Sequence, residues 1–158
     1  MEEVHLPAFA AAVKAGVAAV MPSFNDLAGV PATASPVLLE GWLRRKLGFD
    51  GVVISDYHAI AELVTHGVAA DTAEAAALAL KAGVDIDMMG FCYRDGLAEA
   101  LARGLVTTAD IDRAVRRVLA LKVKLGLFDD PYRGLGFAAL QAPLHRALAR
   151  EAAVKSAV

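Results

Sequence analysis

An α/β fold built on parallel strands follows from three features of this 158-residue sequence. Short apolar runs alternate with longer segments of helical periodicity, and glycine closes nearly every helical segment. The central run, Val52-Val53-Ile54, is β-branched and has no polar alternation, as in a strand covered on both faces. Helical connections between such strands make them parallel. Three strand–helix units do not separate an open doubly wound sheet from a barrel. A complete (β/α)₈ barrel takes about 250 residues, so this chain has room for part of one.

Residues 4–15 are expected to form a helix stopped by Gly16. Residues 17–21 are then an apolar strand suited to burial on both faces, and 23–29 a loop. Ser35 and Pro36 stand as N-cap and first residue of a helix that ends at Gly48. Residues 51–55 form the second strand, and a short helix is expected over 57–64. Asp71 and Glu74 open the next helix as a capping-box-like pair, with Gly83 at its end. Residues 84–88 supply the third strand, followed by a helix over 93–103 that stops at Gly104. Thr107 and Asp110 open a long helix closed by Gly126. In it Ile111, Ala114, Val115, Val118, Lys122 and Leu125 recur at three- and four-residue steps, which predicts one buried stripe, apolar but for Lys122, beneath a charged face. Beyond Phe128, Asp129-Asp-Pro-Tyr-Arg-Gly134 has turn chemistry, and a last amphipathic helix starts at Pro143.

Composition narrows the function. Hydrophobic residues make up 57% of the chain and mean hydropathy is +0.48. Every apolar run is nevertheless broken before the ~20 residues a bilayer helix needs, so no membrane partner is expected. The first residues lack the basic start, apolar stretch and cleavage site of a secretory leader, and compartment stays open. A net charge of −2 with interspersed signs argues against a nucleic-acid partner. The single Cys92 rules out an internal disulfide and a multi-cysteine metal centre, and it is expected to be buried and unactivated. Among His5, His58, His66 and His145 no pair has zinc-ligand spacing with a supporting carboxylate, so neither metal nor cofactor is assigned. His66 suits a helix end, and His5 and His145 suit helix surfaces. Arg113, Arg116, Arg117, Lys122 and Lys124 read as the solvated face of the long helix, paired with Asp110 and Asp112.

In parallel α/β folds the loops at the carboxyl ends of strands carry the chemistry. That rule selects residues 21–25, 55–58 and 87–91. In the second stretch Asp56 closes an apolar strand, where an acid adds nothing to packing and is costly to bury. Two ring side chains, Tyr57 and His58, follow it, and His58 is positioned to line an entrance. Position alone leaves Asp56 as either a helix N-cap or a catalytic carboxylate. Asp85 and Asp87 share one face of the third strand at period two. They read first as a paired polar layer or as anchors for adjacent loops, although Asp87 is the one local candidate for a second acid.

Leu47-Gly-Phe-Asp-Gly-Val-Val-Ile-Ser-Asp-Tyr57 resembles the nucleophile signature of glycoside hydrolase family 3, where Gly-Phe-x-Gly leads into a strand ending Ser-Asp-aromatic. Val20-Met-Pro-Ser-Phe-Asn25, Gly29-Val-Pro-Ala-Thr33 and Leu38-Leu39 resemble the family's preceding strand, loop and helix in order and spacing. Ala82-Gly-Val-Asp-Ile-Asp-Met88 is similar to its last barrel strand. Ile111-Asp-Arg-Ala-Val-Arg-Arg-Val-Leu119 and Lys124-Leu-Gly-Leu-Phe128 are similar to its closing helix. The nearest subgroup is the bacterial periplasmic-type β-glucosidases and β-xylosidases.

The resemblance implies a partial (β/α)₈ TIM barrel, its last three strand–helix units lying within residues 1–128. Residues 129–158 would be an interdomain linker and the start of the following domain. It implies a retaining, exo-acting β-glycosidase that works through a covalent glycosyl-Asp intermediate, with Asp56 as nucleophile and Ser55 and nearby backbone N–H groups stabilising its charge. Met21 would pack on the sugar in the first subsite, Tyr57 would wall the entrance, and Phe24 would shape the pocket where relatives often carry Tyr. The implied partner is a β-linked glucoside or xyloside. The family's acid/base comes from a later domain or an earlier loop histidine, and its sugar-gripping Asp, Arg and Lys-His residues belong to earlier strands; none is in this sequence. The isolated chain is therefore expected to be inactive and to self-associate through exposed barrel edges. The competing reading is a non-catalytic half-barrel that pairs with itself or with a partner chain. An unrelated α/β enzyme ranks lower, since no Gly-rich phosphate loop follows any strand.

Overall fold

A computed structural model of the protein describes residues 3–132 and 143–156. The chain divides into two compact units, Met1–Leu125 and Gly126–Val158. In the first unit the order is α1 (Leu6–Lys14), β1 (Ala19–Val20), β2 (Asp26–Leu27), β3 (Val30–Pro31), a 3-10 turn (Ala32–Ala34), the π-helical α2 (Val37–Lys46), β4 (Val52–Val53), α3 (Glu62–Thr65), α4 (Thr72–Ala82), α5 (Cys92–Ala102) and α6 (Thr108–Lys124). The second unit holds α7 (Pro143–Ser156), which starts where the sequence predicts. Part of the predicted linker, residues 133–142, lies outside the described residues. No described helix is long and apolar enough to cross a membrane.

The α/β class with parallel strands is the observed one. β1 and β4 pair in parallel, Ala19 opposite Val52 and Val20 opposite Val53. The third strand, expected over 84–88, narrows to one parallel bridge between Ile54 and Ile86. Hydrogen bonds from Ile86 N–H to the Val53 carbonyl and from Ser55 N–H to the Ile86 carbonyl hold it there. β4 is the central strand, with Val52 and Val53 almost fully buried. β1 departs from its expected burial on both faces: Ala19 is exposed and Val20 half-buried. It has a sheet neighbour on one side only among the described residues, and α1 buries none of its own side chains. The expected loop over 23–29 contains half of a short antiparallel ribbon, β2 with β3.

Local signals set most helix ends. The Ser35 hydroxyl accepts the Leu38 N–H at 3.4 Å, capping α2 as expected. Asp71 accepts the Glu74 N–H at 2.8 Å, while Glu74 reaches back to the Ala70 N–H at 2.7 Å. Thr107 and Asp110 form a complete capping box on α6. The helix expected over 57–64 is shorter: residues 57–61 form turns and α3 begins only at Glu62. α4 is buried on nearly every side, with Ala73, Ala75, Ala76, Ala79 and Leu80 in the core. Small residues let α5 come close, and a Cβ on Gly96 would lie 2.7 Å from the Thr72 carbonyl oxygen.

α6 corrects two expectations. Ala114 is buried and Ile111 and Val118 are half-buried, but Val115 and Leu125 are exposed, as are Leu119 and Val123. Within the first unit it packs mainly against α4 and β4, which cover one flank and leave the line through Val115, Leu119 and Val123 to solvent. On the covered flank Arg117 leaves the solvated face and turns inward. Its Nη1 meets Asp85 Oδ1 at 3.1 Å, and its Nη2 lies 3.5 Å from Glu40.

Asp85 is the centre of a buried charge cluster. Its side chain is 1% exposed, and Oδ2 accepts both the Val53 N–H at 2.9 Å and Arg44 Nη2 at 2.7 Å. Arg44 also donates to the carbonyls of Gly51 at 2.9 Å and Gly83 at 3.3 Å. Burial pulls the pKa of the Arg44 guanidinium below its ordinary value, against the attraction of Asp85. Glu40 Oε1 is buried with no hydrogen bond and interacts by charge alone, 3.5 Å from Arg44 Nε.

Asp85→Ala leaves two arginines facing each other without their carboxylate. It should lower unfolding free energy by about 3–5 kcal/mol, read as a shift in the urea midpoint; a change under 1 kcal/mol would contradict the clamp role. At the α6 cap, hydrogen bonds from the Thr107 hydroxyl and N–H, helped by Arg113, hold the Asp110 carboxyl down at about 2. A free aspartate titrates near about 3.9. This stabilisation is therefore complete above that value and is lost as pH falls through about 2. Melting temperature should decline across that acid window, and Thr107→Ala should shrink the decline.

Candidate active site

Asp56 leaves the carboxyl end of β4 and is half-buried. Its Oδ1 accepts the N–H of its own neighbour Tyr57 at 2.6 Å. The next α-helix begins six residues later, at Glu62. A capping side chain bonds the N2 or N3 amide of the helix it caps, so the N-cap reading of Asp56 does not fit. Ser55 is fully buried, but its hydroxyl does not touch the carboxylate. It donates to the Asp56 backbone carbonyl at 3.0 Å and accepts the Met88 N–H at 2.8 Å, which fastens β4 to the third strand. The expected backbone donor to Asp56 is present as Tyr57 N–H; the expected side-chain donor is not.

A concavity of about 700 Å³ adjoins Asp56. Met21 and Asp56 both line it, with Ser23, Asn25 and Asp26 as further polar groups, and leucines of α2 make much of its apolar wall. Phe24, Tyr57 and His58 are not among its lining residues. Phe24 and Tyr57 are exposed and His58 is half-buried. The Tyr57 and His58 rings meet edge to face with centroids 4.5 Å apart. His58 has φ +59° and donates its N–H to the Met88 carbonyl at 3.0 Å. The five sequence-selected residues thus fall into a cavity pair, an aromatic pair and the separate Phe24.

Asp26, His5 and Trp42 also line the cavity, and the sequence alone does not single them out. Asp26 stands one residue beyond the selected stretch 21–25, so proximity to a strand's carboxyl end was an available signal. His5 and Trp42 come from the start of α1 and from α2, and only the folding of those helices beside β1 brings them there.

Asp87, the local candidate for a second acid, serves as an anchor. Its Oδ1 accepts the Gly90 N–H at 3.2 Å and its Oδ2 the Tyr93 N–H at 3.1 Å, so it pins the loop that enters α5. Cys92 is buried, and desolvation pushes its thiol up to about 11, with Asp87 and Asp95 adding to the shift. His66 closes α3 as its C-cap residue. Among the described residues no three His, Cys, Asp or Glu side chains converge to hold a metal ion. Chemically the site offers one partly desolvated carboxylate with a backbone donor, open to a cavity that is apolar on most of its wall.

The family model described as Glycosyl hydrolase family 3 N terminal domain matches residues 1–121. A periplasmic beta-glucosidase of Salmonella typhimurium is 43% identical over 161 residues, spanning 98% of this chain and 21% of that protein. A beta-xylosidase of Formosa agariphila is 38% identical over 169 residues, spanning 100% and 23%. The solved beta-glucosidase from Listeria innocua in complex with glucose matches with a TM-score of 0.87 and 44% identity over 96% of this chain and 21% of that one. The chain therefore spans less than a quarter of the length of these relatives. With the matched model covering residues 1–121 and 43% identity to a relative across 98% of the chain, the chain belongs to glycoside hydrolase family 3.

Proposed function

We propose that this chain is the nucleophile-bearing part of a retaining, exo-acting β-glucosidase or β-xylosidase. The observation that carries the reading is Asp56: a half-buried carboxylate at the end of the central strand, lining a cavity with Met21. In a retaining mechanism the Asp56 carboxylate attacks the anomeric carbon as the glycosidic oxygen departs with a proton from an acid. Water, deprotonated by the same group, then releases the sugar from the aspartyl ester. The Tyr57 N–H steadies the carboxylate between steps. Met21 supplies the apolar contact to the sugar, and the Tyr57–His58 pair and Phe24 form an aromatic margin outside the cavity.

Residues 1–128 are read as the last three strand–helix units of a (β/α)₈ barrel, and 129–158 as a link into a following domain. With Asp87 committed to its loop, the acid/base is assigned to a segment outside these 158 residues. The chain alone is then non-catalytic. Its exposed β1 and the line Val115–Leu119–Val123 also favour self-association of the isolated chain.

In the full polypeptide carrying this segment, Asp56→Ala should lower turnover of an aryl β-glucoside or β-xyloside by on the order of 10⁴-fold. A fluorinated sugar should leave its covalent label on Asp56 in peptide mapping, and a label on any other residue would refute the assignment. The isolated 158-residue chain should elute from gel filtration above monomer size and show no turnover; an active monomer would overturn the proposal that its acid/base lies elsewhere.

A further inference from the structure

We propose that Ser55 is a positioning residue for the nucleophile. Its buried hydroxyl breaks the regular ladder between β4 and the third strand, and this frees the Tyr57 N–H for the Asp56 carboxylate. The inference rests on the reading of Asp56 as the nucleophile.

In a parallel ladder a bridging residue bonds the two residues that flank its partner, and the pattern repeats every second residue. Ile86 obeys it. Its N–H donates to the Val53 carbonyl at 3.1 Å, and its carbonyl accepts the Ser55 N–H at 2.9 Å. Two residues on, the same pattern would send the Met88 N–H to the Ser55 carbonyl and the Tyr57 N–H to the Met88 carbonyl. Both bonds are replaced. The Met88 N–H donates to Ser55 Oγ at 2.8 Å. The Met88 carbonyl accepts from His58, one residue late, at 3.0 Å. An extra residue is thus taken up on the β4 side, as in a β-bulge, a device that re-aims side chains. The Tyr57 N–H, displaced from the ladder, donates to Asp56 Oδ1 at 2.6 Å.

The hydroxyl suits this task because it both accepts and donates. Ser55 is fully buried, so no water competes for it. While accepting from Met88, it donates to the Asp56 carbonyl at 3.0 Å, and that carbonyl also accepts the Ala59 N–H at 3.1 Å. The backbone of the nucleophile is therefore held from two sides. His58 completes the detour with φ +59°, a conformation that a non-glycine residue keeps only where its surroundings enforce it. Without the hydroxyl, the buried Met88 amide needs another acceptor. The regular ladder offers the Ser55 carbonyl, and restoring that ladder draws the Tyr57 N–H away from Asp56.

The test compares Ser55→Thr with Ser55→Val in the full polypeptide, since these variants share a shape and differ by the hydroxyl. Covalent labelling by a saturating fluorinated glucoside is timed per labelled site, and affinity for a non-hydrolysed thio-β-glucoside is measured alongside. Ser55→Val should label about a hundredfold more slowly than Ser55→Thr, the scale expected for a reacting group misplaced by about 1 Å. Final stoichiometry and thioglucoside affinity should match. Ser55→Ala, which adds no volume, should label as slowly as Ser55→Val. Equal rates for the threonine and valine variants, or a wild-type rate for Ser55→Ala, would overturn the proposal. So would a valine variant that labels fewer sites at the threonine rate, which would make Ser55 a purely structural residue. A wild-type label on a residue other than Asp56 removes the reading of the nucleophile itself.

Discussion

The cluster around the Asp85 carboxylate is the constraint on which the rest of the first unit depends. Buried to 1% exposure, that carboxylate joins the Val53 amide, Arg44 of α2 and Arg117 of α6. Arg44 carries the connection to the carbonyls preceding the second and third strands, at Gly51 and Gly83. Four elements are thereby locked at the amino end of the sheet. A buried ion pair adds little net stability against an apolar replacement, because desolvation opposes the Coulomb gain. What it supplies is register: a slip of either strand would leave at least one charge buried without a partner.

Register at the amino end decides geometry at the other. With Val53 bonded to Asp85 and Ile86, the strands emerge level, and Ser55 can accept the Met88 amide across the gap. That bond sets the turn carrying Asp56 beside the loop carrying Met89 and Phe91. The carboxylates of the second and third strands divide the work by depth. Asp85 is neutralised by arginines at the amino end and Asp87 by backbone amides of its own loop, which leaves Asp56 to line the cavity. Placing these carboxylates toward the two ends of the strands keeps their charge away from the apolar centre of the sheet.

The alanine-rich composition has a matching structural cause. α4 is enclosed by its neighbours, and enclosure on several sides at close range requires small side chains, as the contact of Gly96 with Thr72 illustrates. The exposed apolar residues have a different origin. Several of them, Val115, Leu119 and Val123, lie along one flank of α6, where the described elements offer no neighbouring layer. Relatives matched over 21–23% of their own length supply much more chain than is present here.

Local chemistry was legible in the sequence. The capping pairs Asp71–Glu74 and Thr107–Asp110, the buried Val52-Val53 strand and the glycine stops depend on residues a few positions apart, so pattern alone determined them. The family motif determined which acid to single out. Long-range competition was not legible. Whether Arg117 faces solvent or Asp85, whether Asp87 is a reactive acid or an anchor, and whether Ser55 serves the carboxylate or the neighbouring strand each depend on partners tens of residues away. The same holds for the cavity that gathers His5, Asp26, Trp42 and Asp56 from separate elements. A polar group bonds whichever partner the fold brings within reach, and only tertiary packing decides which one arrives.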